Sequence, residues 1–149
     1  MTSIQINVRG LPAPQGSKKH VGNGVMVESS KKVAPWRQDV KHAAIAVLGE
    51  DAETPLHDRG SAVAVVVDFY LPRPKSHYRT GANAHLLRDA APARPATKPD
   101  VDKLLRSTLD ALGEAGIWSD DAQVVSVAMD KHYADTVPVG ARIWVRGAA

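Results

Sequence analysis

The stretch AVAVVVDFYL at 62–71 limits the fold of this chain more than any other. Val63, Val65, Val67 and Phe69 alternate with Ala64, Val66, Asp68 and Tyr70, so a strand here has two largely apolar faces. Such a strand belongs inside a sheet. The remaining apolar periods supply its neighbours and their cover. Ile4, Ile6 and Val8 alternate with Gln5, Asn7 and Arg9; Val125, Val127 and Met129 with Ser126, Ala128 and Asp130; Ala141, Ile143 and Val145 with Arg142, Trp144 and Arg146. Each is a strand by its period of two. Val25-Met26-Val27 suits a short strand returning from the turn-rich LPAPQGSKKHVGNG. Val33, Trp36, Val40, Ala43, Ala44, Val47 and Leu48 recur at three and four, with Pro35 in the first turn and an end near Gly49, as a helix requires. Val101, Leu104, Leu105, Thr108 and Leu112 mark a second helix, closed by Gly113 or Gly116. The order strand, short hairpin, helix, long strand, loop, helix, strand, strand predicts a mixed α/β (α+β) fold. With 149 residues it is one domain over 1–149, carrying one mixed sheet and two main helices.

Between the long strand and the second helix, residues 73–98 show no period, and a loop of that length in a small domain is usually functional or disordered. The expectation is a mobile basic loop with a short helix around Ala84 to Arg88. Charge follows the same division. The net charge of +3 conceals segments of +5 (1–41), −4 (42–72), +5 (73–98) and −3 (99–149). Basic segments beside a carboxylate-rich one suit a protein that grips phosphate and also holds a cation, although a solvated surface of alternating charge gives the same sums. The chain has no cysteine, which removes disulfides, thiol nucleophiles and thiolate zinc sites. No apolar run approaches the roughly 20 residues of a membrane span, and MTSIQINVRG lacks a charged start followed by an apolar stretch. A cytoplasmic protein without a membrane partner is expected.

The chemistry concentrates in KPDVDKLLRSTLDALGEAGIWSDDAQV. Asp100 and Asp102 stand where loop passes into helix, and two residues apart on an extended backbone they point the same way. Asp120 and Asp121 precede the next strand, which a short turn returns towards the start of the helix. Carboxylates brought together raise one another's pKa unless a cation joins them, and Mg²⁺, with hard oxygen ligands and few protein carboxylates, is the natural one; Mn²⁺ is the alternative. Such a site activates water and neutralises charge at a scissile phosphate. The bland readings are that Asp100 or Asp102 caps the helix and that Asp120-Asp121 forms a turn.

PDVDKLLRSTLDAL followed by WSDDAQV resembles the RusA family of Holliday-junction endonucleases of bacteria, phages and prophages. The family pattern is a DxDNLxK helix start, a DAL within the helix and a DDxQV at the next strand. GLPAPQGSKK is similar to its Pro- and Lys-rich N-terminal stretch, so the likeness runs from about residue 9 to about 133. The resemblance implies metal-binding and catalytic carboxylates at Asp100, Asp102 and Asp121, with Asp120 as their neighbour. Two positions depart from the pattern: Lys103 stands for the family's Asn, and Arg106 for its catalytic lysine. Arginine keeps the charge and clamps phosphate bidentately but donates no proton at neutral pH, so an electrostatic role is expected. Lys131 resembles a basic position of the following strand.

For the substrate, Lys18 and Lys19 after the Gly16-Ser17 turn, Arg73, Lys75, Arg79 and Lys98 in or at the end of the loop, and Lys103 are the expected DNA-binding cations. Trp36, Trp118 and Trp144 read as core or interface residues. A four-way junction is nearly twofold symmetric and needs paired nicks, which one acidic cluster per chain supplies only as a homodimer. The leading expectation is therefore a Mg²⁺-dependent endonuclease that resolves branched DNA in recombination and repair. The alternative is a non-catalytic junction-binding or architectural protein that has lost activity at Lys103 and Arg106.

Overall fold

The computed structural model describes residues 2–16, 18–20, 26–28 and 31–148. Strand β1 (Ser3–Arg9) is followed by a small hairpin of β2 (Lys18–His20) and β3 (Met26–Glu28); the Val25 expected in it lies outside the described residues. Helix α1 (Val33–Leu48) buries Val33, Trp36, Val40 and Ala44 and ends at Gly49. Gly49 has φ 88°, a left-handed conformation that glycine adopts without a Cβ penalty. Pro35 sits in the first helical turn, where its missing N–H has no intrahelical partner to lose. Strand β4 (Val63–Leu71), helix α2 (Val101–Glu114), strand β5 (Val124–Tyr133) and strand β6 (Gly140–Gly147) complete the chain.

Four strands form one mixed sheet in the order β1-β6-β4-β5. β6 pairs antiparallel with both β1 and β4, whereas β4 and β5 are parallel. A parallel pair needs a crossover, and residues 72–123 provide it with α2. Both helices cover one face. Val63, Val65, Val67 and Phe69 of β4, Ile6 and Val8 of β1, and Ile143 and Val145 of β6 are buried beneath Trp36, Val40, Leu104 and Leu112. The helices are joined to each other by Trp36 Nε1, which donates to Thr108 Oγ1 (3.2 Å), and α2 to the segment after β1 by Ser107 Oγ, which donates to the Ala13 carbonyl (2.7 Å).

β4 is interior, as its two apolar faces require, yet its second face is only partly covered. Ala64 is buried, but Val66 is exposed and Asp68 and Tyr70 are half-buried. This open face is organised by side chains: His132 Nε2 lies 3.0 Å from Asp68 Oδ1 and its ring stacks on Tyr70. Residues 73–98 also depart from expectation. In place of a helix at Ala84–Arg88 the chain makes two single-turn 3₁₀ helices, Lys75–His77 and Gly81–Asn83, and a bridge from Tyr78 to Leu87. The backbone N–H groups that a helix would satisfy locally are used across this hairpin instead, Arg79 N donating to Leu86 O (2.8 Å) and Arg88 N to His77 O (2.9 Å). No described helix is long and apolar enough to cross a membrane.

Candidate active site

The candidate acids are carried by α2 and by the turn after it. Lys98 and Pro99 are joined by a cis peptide bond. Asp100 follows with extended backbone (φ −69°, ψ 136°) at the N-cap, and Asp102 lies in the first turn. An N-cap carboxylate usually accepts a hydrogen bond from the second or third helical N–H. Asp100 makes no such bond, and its charged neighbour is Lys103 Nζ at 3.9 Å. The capping explanation of Asp100 therefore fails, and its exposed carboxylate is open to another cation. Asp102, Arg106 and Asp110 follow at steps of four, which aligns them in one stripe along the helix. Arg106 is exposed and has no ion-pair or hydrogen-bond partner among the described residues.

The second acidic pair stands at the other end of that stripe. Asp121 Oδ1 accepts from Trp118 Nε1 at 2.8 Å and lies against Gly113, where a Cβ would come within 3.2 Å of it. Burial pushes the Asp110 carboxyl above the usual carboxylate range; Arg37 opposes this, and the contact with Asp121 adds to it. Asp120 has a different task. Its Oδ1 accepts from Ala122 N (2.9 Å) while Gln123 Oε1 accepts from Asp120 N (2.9 Å), so it caps the turn before β5.

Eight helical residues, or about 12 Å of rise, separate Asp102 from Asp110 and hence from Asp121. Among the described residues no three acidic or histidine side chains come together in a group that could hold a metal ion. The strand does run back to the start of α2, as expected, but Asp120 and Asp121 stand at its beginning, where Asp121 lies against Gly113 near the end of the helix. β5 begins beside the end of the helix and reaches its start only at Lys131, whose Nζ donates to the carbonyls of Thr97 and Pro99 at 2.8 Å each. One chain thus holds two carboxylate pairs, Asp100 with Asp102 and Asp110 with Asp121, at opposite ends of one helix. Either is the kind of donor set that Mg²⁺ takes, one or two carboxylates completed by water and substrate phosphate.

The family model for endodeoxyribonuclease RusA matches residues 9–146, which takes in both ends of α2, all of β4 and β5 and all but the last residue of β6. The chain belongs to the RusA family. It is also 31% identical over 140 residues to the uncharacterized protein YqaN of Bacillus subtilis (strain 168), an alignment covering 91% of each chain.

In this RusA-family endonuclease the cations of the loop divide into two sets. Arg73 is held inside the protein: its side chain is only 5% exposed, Nε and Nη2 donate to the two Asp135 carboxylate oxygens (2.7 and 3.0 Å), and Nη1 donates to Pro92 O (2.7 Å). Its guanidinium also lies 4.2 Å from the centre of the Tyr133 ring. The same contacts raise the Arg73 pKa and hold that of Asp135 below the usual carboxylate range. Arg79 donates to Leu87 O (3.2 Å) and Asp89 Oδ1 (3.2 Å) within the hairpin. Lys75 and Lys98 are exposed, and Lys103 is half-buried beside Asp100. Lys18 and Lys19 lie in β2, opposite Glu28 and Val27. Asp135 and Tyr133, the residues that immobilise Arg73, carried no signal in the sequence, because Arg73 is 62 and 60 residues away from them in the chain.

Proposed function

We propose that the protein is a Mg²⁺-dependent endonuclease that resolves Holliday junctions by paired nicks, acting as a homodimer whose active sites are each completed by the partner chain. The observation that carries this reading is the separation of Asp121 from Asp100 and Asp102, together with the edge on which β5 lies. β5 closes the sheet on one side. It is a ten-residue strand with Val125 63% and Val127 39% exposed, and it carries none of the prolines or early lysines that protect free edges. Antiparallel pairing of β5 with a second copy about a twofold axis near Val127 would continue the sheet and keep both copies of α2 on one face. β5 starts at the end of α2 and finishes at its start. Such pairing therefore sets the partner's Asp121 alongside Lys131–Tyr133, at the end of the sheet where Asp100 and Asp102 stand.

In that arrangement Asp100 and Asp102 of one chain and the partner's Asp121 would hold the ion. When bound, Mg²⁺ supplies Lewis-acid stabilisation of the charge that develops on the phosphate, and it activates water. Arg106, one helical turn from Asp102 and without a partner among the described residues, clamps a non-bridging phosphate oxygen; its permanent charge leaves it an electrostatic rather than a proton-donating role. Lys98 and Lys103 flank the acids and bind neighbouring phosphates, with Lys75 and β2 further out. Two such sites per dimer match the two opposed strands that a four-way junction requires to be cut, in the setting of recombination and repair. The test is cleavage of a labelled synthetic four-way junction against a linear duplex, with Mg²⁺ and with chelator. Symmetric nicks on the junction, abolished by chelation, are expected; metal-independent binding without cleavage overturns the reading in favour of an architectural protein.

A further inference from the structure

A cleft of about 620 Å³ opens beside Asp100, within the roughly 300–1,000 Å³ typical of small-ligand sites. Its walls are unusual in composition. Six of the ten prolines of the chain line it, Pro12, Pro14, Pro72, Pro74, Pro95 and Pro99, drawn from the segment after β1, the segment after β4 and the approach to α2. Leu71 and Tyr133 add further apolar surface, and Lys32, Lys98 and Lys103 stand among the lining residues with Asp100. The walls are held in place from behind. Ala13 and Pro95 are buried, Ala13 O accepts from Ser107 Oγ, and Tyr133 is backed by the guanidinium of Arg73.

Proline has no backbone N–H. The six prolines offer no N–H to phosphate oxygens, so this part of the wall does not bind the sugar–phosphate backbone as N–H-rich loops do. Flat apolar rings and one tyrosine instead suit a planar, weakly hydrated group, and the three lysines suit anions on either side of it. We infer that the cleft receives a nucleobase of the strand being cut, taken out of its stack next to the scissile phosphate. The inference rests on the reading of Asp100 as part of the cutting site, because Asp100 belongs both to the cleft and to that carboxylate pair. Bases at a branch point have already lost part of their stacking, which lowers the cost of extrusion there. The site thereby gives a reason for a structure-selective enzyme to prefer particular nucleotides at the cut.

The experiment uses full-length protein in chelating buffer, so that binding is read without cleavage. Four-way junctions carry 2-aminopurine, one position at a time, at each of about three nucleotides on either side of the branch, since the fluorescence of this base rises when it leaves the stack. Leu11, 42% exposed and among the lining residues, is replaced in Leu11→Trp to fill the cleft without touching the core. The inference expects one position to brighten about threefold or more with saturating wild-type protein and to stay dark with saturating Leu11→Trp. An abasic residue at that position should slow metal-dependent cutting by about tenfold in the wild type and leave Leu11→Trp no slower than it already is. No brightening at any position, or equal brightening with both proteins, overturns the cleft as a base site. A protein that brightens the probe but never cuts with Mg²⁺ keeps the cleft and refutes the nuclease; one that cuts without brightening does the reverse.

Discussion

Replacing Arg73 by alanine separates a folding role from a DNA-binding role. Asp135 is 41% exposed, so its ion pair with Arg73 is discounted to about 1 kcal/mol. The charged hydrogen bond to Pro92 O contributes about 1.5 kcal/mol, and the guanidinium over the Tyr133 ring about 1 kcal/mol. Arg73→Ala should therefore cost about 3 kcal/mol, allowing for overlap between these contacts. At about 2–4 °C per kcal/mol for a domain of this size, Tm falls by about 6–12 °C, measured by circular dichroism. The pH dependence has a definite sign. Asp135 is held below its ordinary range by Arg73, so its stabilising contribution is present above the unfolded-state carboxylate pKa and is lost as pH falls through the lower folded value. Asp135→Asn should destabilise the protein at neutral pH and lose its effect in strong acid. Junction binding supplies the contrast. Each phosphate contact adds about 0.9 to the slope of log affinity against log salt, so Arg73→Ala keeps the wild-type slope while Lys75→Ala lowers it by about one contact. An Arg73→Ala protein with an unchanged Tm and a reduced slope would refute this division of the loop.

Other residues give sharper single outcomes. Gly140→Ala puts a Cβ 1.8 Å from the Val8 carbonyl oxygen across the β1–β6 ladder, a backbone atom that cannot step aside, and should cost about 2–3 kcal/mol in urea unfolding. Gln123→Ala removes the acceptor of the Ser119 and Asp120 N–H groups and the donor to Asp58 O and Ser61 O; a loss of about 2–3 kcal/mol is expected in the same assay. Asp102→Asn should bind a junction at least as tightly as the wild type, since one phosphate-repelling charge is gone, yet cut it at least about 100-fold more slowly. Full cleavage by that variant would show that the site lies elsewhere.

Much of the fold was legible because its signals are local. The period of β4 predicts an interior strand, and the spacing of Trp36, Val40 and Ala44 predicts the buried stripe of α1. The hairpin in 73–98 was not, because it is fixed by distant partners: Arg73 by Asp135, Arg94 by Asp130 at 3.2 Å, and the backbone around Tyr78 by Leu86, Leu87 and Arg88. At the site, the motif spacing singled out candidate acids but not their separation. Sequence distance between Asp102 and Asp121 says nothing of direction, and a turn of six residues after α2 leaves Asp121 at the wrong end of a helix of 14 residues. Only Asp120, whose turn-forming reading was available from the start, resolves fully within one chain.

Completion of each site by the partner chain is tested most directly by mixed dimers. Asp102→Asn and Asp121→Asn, each expected to be inactive by itself, are co-expressed with different tags and the heterodimer is isolated. If Asp100 and Asp102 act with the partner's Asp121, the heterodimer contains one intact site and one doubly damaged site, and it nicks a single strand of a four-way junction in Mg²⁺. If all three carboxylates act within one chain, both sites are damaged, and a heterodimer without activity would contradict the account.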